Sequence, residues 1–376
     1  MRTEKYKVIV WGPGYTGARA LREIARRPEL ELVGCLAYNP EKAGLDAMEY
    51  VGLEPTGVKI TVDKEEIYAL DADIVLYAAR AMPNEADNQQ EVVRLLESGK
   101  NVVATTAYHF PWQRGDDYVK PLEEACVRGN STLHGTGVHP GWFIERQVIT
   151  AAGLTNTVDE VNLREIVDIS HMDGDAISGT GFGMTRERLG KKTRKMILSR
   201  YYFETIAGLS HTLGLDVDEM VADIDYVMSD RDFTIANVHI AEGTVAVLDA
   251  TWTGYREGKS VITIREIWYG AEDLVDPEVK LLSPDMWEYE IKGLPVDIRG
   301  RVDLTVTDLD DASGGDALQS GGNLATSVQL VTTIPSVVDA EPGILIPTVF
   351  AYPASDLREV NHPLARRPKV IPERIL

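Results

Sequence analysis

At 376 residues the chain exceeds one ordinary core and falls short of three, so two domains of roughly 100–200 residues are expected. Its 44% hydrophobic and 26% charged residues are those of a folded globular protein and exclude a disordered one. A formal net charge of -21 argues against nucleic acid and anionic membranes as partners, and without a secretory leader or an apolar run of about 20 residues a cytoplasmic protein is expected.

Along residues 1–145 short apolar runs alternate with amphipathic segments, the pattern of a parallel sheet wrapped by helices. Strands are predicted at Lys7–Trp11, Glu31–Tyr38, Ile74–Ala78, Asn101–Ala104 and Ser131–His134, with helices over Thr16–Arg27, Glu85–Ser98 and Val119–Arg128. Cys35 reads as part of a strand and Cys126 as part of a helix, and two cysteines make no disulfide framework. After Pro140-Gly141 period-two runs follow one another at Phe233–His239, Thr244–Tyr255, Ser260–Tyr269 and Val302–Thr307, which predicts a mostly antiparallel sheet. A helix from Lys195 to Leu213 precedes them, with Met196, Tyr202, Phe203, Ile206, Leu209 and Leu213 set to face that sheet. Basic residues cluster once, in Arg186–Arg200, and read as a solvated helix face. A late helix, Asn323–Ile334, is expected to return to the first domain. The fold class is therefore α/β, with a dinucleotide-binding Rossmann domain over 1–145, an α+β domain over 146–318 and a C-terminal segment, 319–376, packing back on the first.

The loop Gly12-Pro-Gly-Tyr-Thr-Gly17 lies between a strand and a helix, as dinucleotide binding requires. Gly12 allows the tight turn, Gly14 lets backbone approach a pyrophosphate, Gly17 lets helix and strand pack, and the amides of Tyr15 and Thr16 open the helix towards phosphate. At the end of the second strand stands Tyr38-Asn39 with no carboxylate to receive a ribose hydroxyl, and Asn39 and Lys42 can donate to a 2′-phosphate. NADP is the expected cofactor, with NAD the alternative because Glu41 stands beside them.

Ligands of such sheets lie beyond the carboxyl ends of the strands. Those exits hold Ala78, Ala79 and Arg80, then Thr105 and Thr106, then Gly137, as further cofactor contacts, and Tyr108, His109 and His139 as groups able to handle a proton. Each of the last three also has a packing or cofactor-orienting reading. His134 reads as a packed core histidine. Trp142, Phe182 and Met184 are candidates to line an apolar substrate pocket. The histidines lack metal-ligand spacing, so no metal site is expected.

Four segments, Gly12–Gly17, Val102–Thr106, Gly135–Gly141 and Thr333–Ile344, together resemble the dihydrodipicolinate reductase-like group, most closely its 2,4-diaminopentanoate dehydrogenases and native amine dehydrogenases. The resemblance implies a Rossmann domain, an α+β substrate and dimerisation domain, a homodimer, a small-molecule substrate and NAD(P)-linked interconversion of a ketone with an amine. Those relatives carry a glutamate after the Thr-Thr pair, where this chain has Ala107, and Asn where it has His139. A neutral Ala107 accepts no proton, whereas Tyr108 or His109 suits protonation of an alkoxide. Carbonyl reduction or alcohol oxidation, and a dinucleotide-binding module without catalysis, therefore stand beside amine chemistry as alternatives.

Overall fold

The computed structural model describes residues 3–80, 85–105, 108–172, 177, 180–189, 192–307, 320–346 and 368–376, without the side chains of Glu145, His171 and residues 192–198. It divides into two compact units, Met1–Trp142 with Asn323–Pro347 and Phe143–Gly322 with Thr348–Leu376. The strands of the first are β1 (Tyr6–Trp11), β2 (Leu30–Leu36), β3 (Ile60–Thr61), β4 (Ile74–Tyr77), β5 (Asn101–Ala104) and β6 (Thr132–Gly135). The second holds β7 (Glu160–Asp168), β8 (Glu219–Met228), β9 (Phe233–Ile235), β10 (Val238–Ile240), β11 (Val245–Arg256), β12 (Lys259–Tyr269), β13 (Asp285–Lys292) and β14 (Ile298–Asp303). Two short strands follow, β15 (Gly343–Ile344) in the first unit and β16 (Glu373–Ile375) in the second.

In the first unit the continuous apolar runs Val8–Trp11, Ile74–Tyr77 and Val102–Ala104 are buried throughout, which a sheet covered by helices on both faces demands. Among the described residues the order is β15-β6-β5-β4-β1-β2-β3, every neighbour parallel. The chain leaves β1 in one direction and resumes at β4 in the other, so the crevice between those strands is the switch point where such sheets bind ligands. Register aligns Trp11 with Tyr77, Tyr77 with Ala104 and Ala104 with Gly135, so the exits of β1, β4, β5 and β6 form one row. The expected returning helix is Gly321–Thr332, followed by Ile334–Val338. Its Leu330 and Val331, with Ile334 and Val337, join Val8, Val10, Leu76 and Val103 in one core.

The second unit is built on β14-β13-β7-β12-β11-β8-β16, antiparallel except at β7–β12 and β8–β16. The helix Lys192–Leu213 covers one face. There Tyr202, Phe203, Ile206, Leu209 and Leu213 are buried, as their spacing predicts, and Ser199 Oγ takes a 3.0 Å bond from Trp252 Nε1. Gly254 brings helix and strand together, because a Cβ there would stand 2.8 Å from Ile206 Cγ2.

Four differences from the sequence reading stand out, the first being that the strand expected at Val302–Thr307 is instead the end of β14, with no strand over residues 304–307. Phe233–His239 is a hairpin of β9 and β10 rather than one strand, since the chain turns at Ala236 with φ +48°. Strands β7, β8 and β13 interleave charged residues with apolar ones and were not anticipated. Residues Glu373–Ile375, expected beside the first domain, instead extend the second sheet at Met220–Ala222.

Candidate functional site

The phosphate loop begins where β1 ends. Gly12 has φ +91° and lies so close to the β4 exit that a Cβ would stand 3.0 Å from the Ala78 carbonyl oxygen. Gly17 packs the helix Tyr15–Ala25 onto the turn, since a Cβ there would fall 2.2 Å from Gly12 O. Gly14 differs from both. It precedes the helix without any side-chain cap, no acidic residue occupies the first turn, and nothing lies within 4 Å of the place its Cβ would take. A helix start without a side-chain cap, entered through a glycine with clear space beside it, fits a bound pyrophosphate. The hydroxyl of Thr136, at the β6 exit, is buried and makes no hydrogen bond among the described residues, a further polar atom suited to a cofactor.

Beside the loop, Asn39 accepts a 3.0 Å bond from the Glu41 amide and caps the turn Pro40–Lys42. Lys42 Nζ donates to Pro13 O at 2.9 Å and to Tyr50 Oη at 2.7 Å. Its positive charge is thereby held against the phosphate loop. At the next exits Ala79 is buried, Arg80 is exposed with its carbonyl accepting from Asn88 Nδ2 at 2.7 Å, and the Thr105 amide reaches Tyr77 O at 3.3 Å. Thr106 and Ala107 lie outside the described residues.

Tyr108 is buried, yet its backbone has φ +68°. A bulky residue in the left-handed region costs free energy, and such outliers persist where the surroundings enforce them, often at functional sites. Its ring stacks on Tyr118 at 6.3 Å, the guanidinium of Arg114 lies 4.7 Å from the Tyr118 centroid, and Arg114 pairs with Glu85. His109 follows, also buried.

The segment after β6 is wound tightly. Thr136 N reaches Ala104 O at 2.8 Å, Trp142 N reaches Gly137 O at 2.8 Å, and a Cβ on Gly137 would stand 2.9 Å from Pro140 O. His139 and Trp142 are half-buried on this loop. His134 behaves as a core histidine, its Nδ1 2.8 Å from Leu345 O.

Three residues of this edge escaped the sequence reading. Thr326 Oγ1 accepts from Val138 N at 3.3 Å, Ser327 Oγ donates to Thr16 O at 3.1 Å, and Asn323 Nδ2 reaches Thr16 Oγ1 at 3.4 Å. The late helix thus buttresses both the phosphate loop and the β6 exit. A signal was present, since Asn323, Thr326 and Ser327 stand at i, i+3 and i+4 and so share one face of the helix.

In the second unit Phe182 is buried and Met184 half-buried, the Met184 carbonyl accepting from Val245 N at 3.0 Å. The sheet's inner face also holds acids. Glu165 and Glu266 are register partners on β7 and β12, and both are buried. Glu165 accepts from Trp268 Nε1 at 2.9 Å and Trp287 Nε1 at 2.6 Å, while Tyr202 donates to Glu266. Burial, then the charge of Glu165, holds the Glu266 carboxyl well above the usual carboxylate range. Asp285, which accepts from Ser320 and Gly322, is raised too, chiefly by burial.

Residues 142–362 match the model of the 2,4-diaminopentanoate dehydrogenase C-terminal domain. The chain belongs to this family. An amine dehydrogenase of Streptomyces virginiae is 27% identical over 348 residues, spanning 89% of this chain and 93% of that protein. The 2,4-diaminopentanoate dehydrogenase of Acetoanaerobium sticklandii is 19% identical over 98% of this chain and 99% of its own length. A solved amine dehydrogenase from Mycobacterium smegmatis shares the fold with a TM-score of 0.74 at 19% identity, covering 93% of this chain and 98% of that one. As a member of the diaminopentanoate dehydrogenase family the protein is an amine dehydrogenase-like oxidoreductase that works with a nicotinamide dinucleotide. Among the described residues no helix is long and apolar enough to cross a membrane.

Proposed function

We propose that the protein is an NADP-linked dehydrogenase converting a small to medium, largely apolar ketone to its amine and back, with Tyr108 handling the proton. The observation that carries this reading is the enforced geometry of Tyr108, a buried aromatic residue with φ +68° at the exit of β5, beside the switch point. Ammonia condensing on the ketone with loss of water gives the imine, to whose carbon a bound nicotinamide would supply the hydride, accepting it in the reverse direction. The phenol of Tyr108 holds a proton for the substrate heteroatom, and His109 and His139 are the other groups able to relay it. Gly12, Gly14, Tyr15, Thr16 and Gly17 cradle the pyrophosphate, with Ala78, Ala79, Arg80, Thr105 and Gly137 along the same row, and Thr106, outside the described residues, is the remaining candidate contact. Trp142, Phe182 and Met184 are the apolar side chains proposed to meet the substrate. The protein works in the cytoplasm as a homodimer.

Lys42 supports NADP over NAD, because its charge is fixed on Pro13 beside the place a 2′-phosphate would occupy. Lys42→Met is expected to raise the KM for NADPH about tenfold and leave that for NADH unchanged. Equal effects on both cofactors would return the choice to NAD. The reaction is tested by following NADPH oxidation with a panel of small ketones, with and without ammonium. Amine formation that requires ammonium is expected. Alcohol formation without ammonium would favour carbonyl reduction, which Ala107 makes the second reading, and inertness in both arms would overturn both.

A further inference from the structure

Tyrosine on a protein surface usually buries its ring and leaves its hydroxyl in water. Tyr38, just past the end of β2, does the reverse. Its hydroxyl is turned inward, accepting from Trp11 Nε1 at 2.8 Å and donating to Glu91 Oε2 at 2.6 Å, while the residue remains 48% exposed. Glu91 is buried, and it also accepts from Tyr77 Oη at 2.5 Å and pairs with Lys64 Nζ at 2.6 Å. Lys64 in turn lies 5.6 Å from the Tyr38 ring centroid. A buried carboxylate with three donors is thus committed to holding one aromatic ring outward. Burial and the bond to Glu91 raise the Tyr38 phenol above its ordinary range, so it stays neutral.

The place of the ring in the fold indicates its use. Leu36, two residues before Tyr38, accepts from the Gly12 amide at 2.8 Å, so the ring stands at the carboxyl edge of the sheet beside the phosphate loop. A flat, exposed aromatic surface in that position suits stacking against a purine. We infer that Tyr38 is the platform on which the adenine of the dinucleotide stacks, and that Glu91 is the positioning residue that fixes it. The inference rests on reading the first unit as a dinucleotide domain. It assigns the adenine half of the cofactor to residues apart from those that receive the phosphates.

Calorimetric titration of the full-length protein separates the two ideas. The probes are ADP-ribose, with and without a 2′-phosphate, and nicotinamide mononucleotide. Tyr38→Ala is expected to weaken both ADP-ribose probes about tenfold and leave the mononucleotide unchanged. Tyr38→Phe, which keeps the ring but gives up its bond to Glu91, should lose about threefold, and no loss in it would remove the positioning role of Glu91. Tyr38→Leu, which keeps the bulk without a π face, should behave like the alanine variant and replaces it if that variant fails to fold. Unaltered ADP-ribose binding in Tyr38→Leu, or equal losses in the Phe and Leu variants, would overturn the platform while leaving the dinucleotide domain intact. Absence of binding of every probe to the unaltered protein would overturn both.

Discussion

Tyr108→Phe is expected to lower kcat about 100-fold or more while changing the KM for NADPH by no more than about twofold. The phenylalanine keeps the stack on Tyr118, 6.3 Å away, and so keeps the packing that holds the β5 exit in its left-handed turn. Only the ionisable hydroxyl is lost. His109→Ala and His139→Ala, made alongside, should each cost about tenfold or less if they relay or orient rather than deliver the proton. Stopped-flow measurement of hydride transfer, with steady-state kcat, provides the comparison. A Tyr108→Phe enzyme at full speed, with either histidine variant slowed 100-fold, would move the proton role from the phenol to that imidazole.

Glu266→Gln is expected to flatten the loss of stability as pH rises, so that the variant is the more stable of the two proteins above neutral pH. The folded-state carboxyl of Glu266 is raised by burial and by neighbouring Glu165, whereas the unfolded chain releases that proton near the ordinary carboxylate value. The folded protein therefore binds more protons than the unfolded one over the interval between those values. Stability from this group is fully present below the unfolded value and declines as pH rises towards the folded one. Glutamine reproduces the protonated acid, accepting from Tyr202 and donating towards Glu165, without a proton to lose. Chemical denaturation from pH 5 to 8 should show a smaller decline for the variant. Parallel curves for the two proteins would mean that Glu266 ionises normally in the fold.

The first unit was legible because its signals are local. Val8–Trp11, Ile74–Tyr77 and Val102–Ala104 are unbroken apolar runs, and Gly12 and Gly17 each answer a steric demand set within a few residues or by the adjoining strand. The second unit concealed more, for two reasons. Its β7 reads Glu-Val-Asn-Leu-Arg-Glu, and the burial of Glu165 depends on indoles at Trp268 and Trp287, more than 100 residues away in sequence. The β9–β10 turn is Ala236-Asn237, where asparagine without a neighbouring glycine is a weaker reversal signal than Asn-Gly or Asp-Gly. At the candidate site, the exits that hold Tyr108 and His139 followed from strand order. The left-handed backbone of Tyr108 and the bonds of Lys42 to Pro13 and Tyr50 did not, since each depends on tertiary neighbours.

The late return of Asn323–Ile346 to the first unit has a consequence for biosynthesis. Thr16 waits 307 residues for Asn323 and 311 for Ser327, and strand β6 acquires its outer neighbour only when Gly343–Ile344 has been made. Roughly 200 residues are translated in between, about 10–40 s at ordinary elongation rates. Throughout that interval the nascent chain presents an open sheet edge and an unbraced phosphate loop. The protein is thus one in which the amino-terminal half cannot mature vectorially. Chaperone dependence during synthesis is the expected result, and an aggregation assay of the first 145 residues with and without a peptide of residues 320–346 checks it.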